Sequence, residues 1–242
     1  MANYSAMEQQ ANSEQFIDLF TEIEQKLRDI CDDRYHAGFA ELVRKARSFH
    51  PVVQRYANDL REFAELRNAI THTRRENFII AEPHNDVVTE IRKIRDMLNN
   101  PPRVSTIPFS PPYFATPQTP IMEMLKTFAE KGFMRCPVVD RNRIVCLITA
   151  KSLARWITEN FAHRGQLDGA LLEEVIPYAD ARDFAVVSNH ADIITIYDMF
   201  KRSMKQGSYL QAILITENGS PTGHLQGILT PSDLPKIVER MD

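Results

Sequence analysis

Gly227-Ile228-Leu229-Thr230-Pro231-Ser232-Asp233-Leu234 is the stretch on which the fold turns. Its apolar run ends in a threonine, and a proline stands next at a place suited to the first turn of a helix. The segment therefore reads as a strand passing directly into a helix. Amides at a helix start can hold an anion, so Thr230 and Ser232 are candidates to meet phosphate. Asp233 can accept hydrogen bonds from a sugar diol, or it can simply cap the helix. Upstream of this switch lie a lead at Phe184–Val187, a helix over Ala191–Lys205 and strands at Ala212–Ile215 and Gln226–Leu229. The same parts occur earlier in the same order. A lead at Phe114-Ala115-Thr116 precedes a helix from Pro120 to Lys131, strands at Cys136–Asp140 and Ile144–Ile148, and a helix opening at Thr149-Ala150-Lys151-Ser152-Leu153. Such self-similarity marks a repeat. Thr116 to Thr149 spans 33 residues and Ser188 to Thr230 spans 42, the excess falling in loops around 206–210 and 218–224. One β-α-β-β-α unit cannot cover both faces of its small sheet, so the two copies are expected to pack together.

The first hundred residues read differently. They hold two of the 14 prolines and one of the eight glycines, a composition suited to long helices. Apolar residues recur at three- and four-residue steps over 16–30, 39–49, 52–71 and 85–98, which predicts four amphipathic helices packed as a bundle. Seven prolines then crowd into 101–120, predicting a stiff, extended connector over 101–118 whose later part packs against the repeats. The expected architecture is thus α+β: an all-α bundle over 1–100, a first repeat over 103–165 and a second over 166–242.

With 242 residues, 43% hydrophobic and 25% charged, the chain is long enough for one or two domains with real cores. The net charge of −3 falls within the first hundred residues, the rest being balanced, and neither part suggests sequence-independent binding to nucleic acid. Cys31, Cys136 and Cys146 show no metal-ligand spacing and are odd in number, which points to a reducing, cytoplasmic setting with no required metal. No apolar run has the length of a signal peptide or membrane span. P-loop, dinucleotide-fingerprint, HExxH and GxSxG motifs are absent from the sequence.

The repeat resembles the cystathionine-β-synthase (CBS) domain pair, or Bateman module. Cys136-Pro137-Val138-Val139-Asp140 looks like that family's Pro-Val-Val-Asp strand, and the stretch 227–234 looks like its strand-to-helix signature. The resemblance implies a tandem CBS pair that binds adenosine-containing ligands such as AMP, ADP or ATP in two clefts between the copies, and that regulates rather than catalyses. Carried onto this chain, one cleft would hold Thr230, Ser232 and Asp233, with walls from Tyr113 and Phe133. The other would hold Thr149, Ser152, Lys151 and Arg135, with walls from Ile176 and Tyr178. Two departures stand out. The first copy has Ser152 where the second has Asp233, and the second copy has Gln211 where the first has Arg135.

In the helical part, Arg67-Asn68 with His72 beyond it resembles the Arg-x4-6-His motif of HEPN domains, helical bundles that include dimeric, metal-independent ribonucleases. The resemblance implies Arg67 and His72 as catalytic candidates, with Arg74 and Arg75 placed to touch RNA phosphate. On an ideal helix Arg67 and His72 point about 140° apart, so a shared site requires the helix to unwind near His72. Dipole capping by His72 and an Arg67–glutamate pair explain the same residues without catalysis. The expectation is a homodimeric regulatory protein whose CBS pair senses an adenine nucleotide and modulates the bundle. The alternatives are a ligand-gated ribonuclease and a structural adaptor for a protein partner.

Overall fold

The computed structural model describes residues 11–33, 37–72, 82–109, 112–164, 169–207 and 209–241, omitting the side chains of 72 and 161–164. The chain divides into two compact units, Met1–Pro101 and Pro102–Asp242.

The first unit contains the helices α1 (Asn12–Cys31), α2 (Phe39–Ala46), α3 (Pro51–Arg55), α4 (Ala57–His72) and α5 (Asn85–Asn99). The stripe of Phe16, Leu19, Phe20, Ile23 and Leu27 on α1 is buried, and α5 supplies Val88, Ile91 and Ile94 to the same core. Phe16 meets Phe63 of α4 edge to face, with ring centroids 5.8 Å apart. The helix expected to run unbroken over 52–71 is instead divided at Tyr56 (φ −100, ψ 20). Val52 and Val53 before the break and Ala57 and Leu60 after it are all buried, so both pieces belong to the core.

In the second unit, the first copy contains α6 (Ile121–Lys131), β1 (Arg135–Asp140), β2 (Arg143–Thr149) and α7 (Ala150–Arg164). Gly132 closes α6 in the left-handed conformation (φ 69). β1 and β2 pair antiparallel with Asp140 opposite Arg143, and both intervening residues, Arg141 (φ 46) and Asn142 (φ 61), take positive φ. That is the backbone of a tight type I′ hairpin. Ala115 bridges Val138 in parallel and completes the first sheet. The second copy contains β3 (Phe184–Ser188), α8 (Ile193–Lys205), β4 (Ala212–Thr216), β5 (Leu225–Leu229) and α9 (Leu234–Glu239). Its sheet has the order β3-β4-β5, with β3 parallel and β5 antiparallel to β4.

Two cores hold this unit together. Trp156, Phe128, Met124 and Ile148 fill the first copy, while Ile144, Leu147, Leu214 and Leu225 pack the two sheets on one another. The copies also exchange their leading segments. Val104 donates to Ala191 O and Ile193 to Pro102 O, so the start of the first copy is fastened to the helix of the second. Reciprocally, Ile121 donates to Ala170 O and Leu172 to Thr119 O. The segment expected as a connector over 101–118 is accordingly built into the second unit: Val104, Ile107 and Ala115 are buried there.

Candidate functional site

The end of β5 and the start of α9 set the geometry of the site. Thr230 N donates to Asp233 Oδ2 at 3.0 Å and Thr230 Oγ1 approaches the same oxygen at 3.1 Å, while Asp233 N donates back to Thr230 O. One carboxylate oxygen is thus spent on capping. The other, Oδ1, meets Lys236 Nζ at 3.1 Å, and Asp233 borders a cavity of about 550 Å³. A ligand hydroxyl can reach Oδ1 at the cost of loosening an ion pair that lies largely in solvent. Such a pair is worth about 0–1 kcal/mol.

Phe109, Tyr113, Phe133 and Ile228 give the same cavity an apolar lining. Gly227 makes this lining possible. A Cβ there would lie 2.5 Å from Phe109 Cδ2, so only glycine lets the ring rest on β5. Arg135 borders the cavity from the end of β1, donating from Nε to Gln211 Oε1 at 3.3 Å. Burial pushes the guanidinium below its ordinary value and Asp233 opposes that shift, although the side chain remains a cation at any ordinary pH. Carboxylate, cation and aromatic faces therefore converge on one space.

Tyr113, Phe133, Thr230, Ser232 and Asp233, grouped together by the resemblance to the CBS pair, all border this cavity. The sequence pattern did not single out Lys236, although its place three residues after Asp233 is the spacing of helical neighbours. α9 is a six-residue helix entered through a 3-10 turn at Pro231–Asp233. Its start is too short to hold phosphate alone, which leaves Arg135 and Lys236 as the cations for that task.

The second expected cleft is assembled differently. Thr149 and Lys151 border a cavity of about 240 Å³ together with Arg135, Asp183 and Gln211. Arg135, expected in this cleft alone, therefore stands between the two. Ser152 is buried and turned inward: it accepts from Thr149 N at 2.8 Å and donates to Thr149 O at 2.8 Å, leaving nothing for a ligand. Beyond Lys151 a third cavity of about 230 Å³ is bordered by Asp180, Arg182, Asp183 and Tyr209. Arg182 holds Asp180 down at about 2. Burial and Asp180 together push the Asp183 carboxyl up. Ile176 and Tyr178, expected as walls of the second cleft, pack on the core of the first copy and border none of these three cavities. Tyr178 Oη lies 3.2 Å from Asn160 Nδ2.

In the first unit α4 stays wound through His72, so the unwinding required for an Arg67–His72 site does not occur before that residue. Arg67 Nη1 donates to Asn68 Oδ1 at 3.3 Å. The side chain of His72 and the whole of Arg74 and Arg75 lie outside the described residues. Among the described residues no group of three or more His, Cys, Asp or Glu side chains is placed to hold a metal, and no helix is long and apolar enough to cross a membrane.

Residues 104–159 match the family model of the CBS domain. No curated protein matches the sequence. Similar solved structures include CBSX2 of Arabidopsis thaliana in complex with AMP, at 17% identity over 58% of this chain and 98% of that one, with a TM-score of 0.43. The CBS domain of a membrane protein from Sphaerobacter thermophilus shows 20% identity over 62% of this chain and 97% of that one, with a TM-score of 0.43. CbpB in complex with c-di-AMP shows 12% identity over 62% and 91%, with a TM-score of 0.45.

Proposed function

We propose that residues 102–242 form a regulatory module that binds an adenosine-containing ligand, AMP, ADP, ATP or a relative, in the cavity before Asp233. One observation carries this reading: the cavity brings a carboxylate oxygen free of the helix cap, two cations and an aromatic wall to bear on one volume of about 550 Å³. A carboxylate accepts from ribose hydroxyls, the cations meet phosphate, and the flat rings of Phe109, Tyr113 and Phe133 suit a purine. The helical unit is the element the ligand modulates, within a homodimer, through a difference in ligand affinity between two states of the protein.

Calorimetric titration of the full chain with AMP, ATP and S-adenosylmethionine tests the proposal. Binding of at least one ligand, weakened about 10- to 100-fold by Asp233→Ala, is the expected result, since hydrogen bonds to a charged group contribute about 1.5–3 kcal/mol. No binding by any of the three overturns it. Hydrogen exchange in α1–α5 with and without the bound ligand tests modulation, and identical protection in the two states removes that part.

A further inference from the structure

Among the described residues, the charged groups that border the Asp233 cavity are Arg135, Asp233 and Lys236, two cations against one carboxylate. The two cations are held differently. Arg135 is half-buried and tied by Nε to Gln211 Oε1 at 3.3 Å. Lys236 has a side chain 59% exposed, and its ammonium rests on Asp233 Oδ1 at 3.1 Å, while the other oxygen, Oδ2, stays with the helix cap. Lys236 therefore sits on the one carboxylate oxygen left for a ligand, and its flexible four-carbon stem can carry the ammonium elsewhere. The first copy has no such device. Ser152 stands in place of Asp233, and Arg155, three residues on, lies over the Tyr178 ring at 6.0 Å from its centroid.

Sugar hydroxyls reach Oδ1 only if the ammonium leaves it. What becomes of the freed ammonium then depends on the ligand. A ligand with a phosphate offers it a new anion, so one ion pair replaces another. A ligand without one leaves it unpaired in a cavity that already holds the Arg135 cation, and the original pair is lost without return. We propose that Lys236 sets the ligand class of this site as a tethered cation. It occupies Asp233 Oδ1 when the site is empty, competes with the sugar of any nucleoside, and yields to a phosphorylated nucleoside by moving to the phosphate. The site thereby selects nucleotides over nucleosides and over cationic adenosine derivatives. This role for Lys236 rests on the reading given under Proposed function, and it adds the choice among adenosine-containing ligands.

Calorimetric titration of the full chain and of Lys236→Met with AMP and with adenosine tests this role. Methionine keeps the length and helix propensity of the side chain and removes its charge. AMP affinity is expected to fall about three- to tenfold, because one of two phosphate cations is gone. Adenosine affinity is expected to rise about two- to fivefold, because an exposed ion pair no longer competes for Asp233. Opposite movement is decisive, since damage to the fold would lower both affinities. Lys236→Arg, which keeps the charge, is expected to hold the wild-type ratio of the two affinities within about threefold. Adenosine affinity that stays level or falls in Lys236→Met, AMP affinity that does not fall, or a ratio that moves as far in Lys236→Arg overturns the competing cation and leaves the Asp233 site standing. Failure of the wild-type chain to bind either AMP or adenosine overturns that site and the role of Lys236 together.

Discussion

The two copies in the second unit solve one structural problem, the start of a helix directly after a strand, with different side chains. In the first copy Ser152 accepts from the amide of Thr149 and is buried; in the second Asp233 accepts from the amide of Thr230 and keeps an oxygen to spare. A hydroxyl is used up by capping, whereas a carboxylate has a second acceptor left over. The comparison teaches that the group facing the cavity here is a surplus of the capping device, and that a cap without surplus makes a closed surface.

The sharpest way to break this comparison is to give the second copy the cap of the first. Asp233→Ser retains an acceptor for the Thr230 amide but removes the outward oxygen. Affinity for AMP is expected to fall about 10- to 100-fold. The thermal midpoint should move little, because Ser and Asp cap comparably. A large loss of stability with affinity unchanged, measured by calorimetry and thermal melting together, would show that Asp233 is only a cap.

Arg135→Gln makes the copies alike at the position that Gln211 already occupies in the second. Loss of the shared cation is expected to weaken phosphorylated ligands about tenfold while leaving adenosine nearly unaffected, so the ratio of AMP to adenosine affinity is the quantity to measure. An unchanged ratio would place the phosphate elsewhere.

Gly227 and Cys146 occupy matching positions on β5 and β2. Gly227→Ala must displace the Phe109 ring, and overpacking of this kind costs about 1–3 kcal/mol. AMP affinity is expected to fall severalfold along with stability. Cys146→Ala removes a sulfur from a core away from the cavity and is expected to cost about 1 kcal/mol of stability with no change in affinity.

A further effect, absent at neutral pH, concerns alkali. Burial pushes the Cys136 thiol up to about 12 and the Cys146 thiol up to about 11, against about 8.5 for a free thiol. The folded state therefore holds these protons longer than the unfolded one. Stability is unaffected below about pH 8 and declines as pH rises from there toward the folded values, by about 2 kcal/mol or less per thiol at pH 10. Denaturant melts of wild type and Cys136→Ala at pH 7.5 and pH 10 check the sign: the variant should lose less between the two.

Much of this was legible in the sequence. The strand and helix order of both copies follows from alternating apolar runs and from turn residues such as Asp140-Arg141-Asn142. The grouping of Asp233 with Tyr113 and Phe133 came from the resemblance to the CBS pair. What could not be read was direction. Nothing in Thr149-Ala150-Lys151-Ser152 says that the serine hydroxyl turns back to its own helix start. Ile176 and Tyr178 carry the same apolar and aromatic character whether they wall a cleft or fill a core. Arg135 was assigned to one cleft because a sequence attaches a residue to one motif, while a long side chain at a strand end reaches two spaces. The break at Tyr56 lacks any local signal, since no glycine or proline stands there.

The exchanged leading segments have a consequence for synthesis. Val104 finds its partner at Ala191, and Ile121 finds its own at Ala170. The first copy therefore cannot be completed when its last helix leaves the ribosome, because two of its fastenings have not yet emerged. With elongation at about 5–20 residues per second, that copy spends seconds with its core partly open. A premature stop before residue 191 yields not a half-sized sensor but an unfinished fold, a natural substrate for chaperones and proteases.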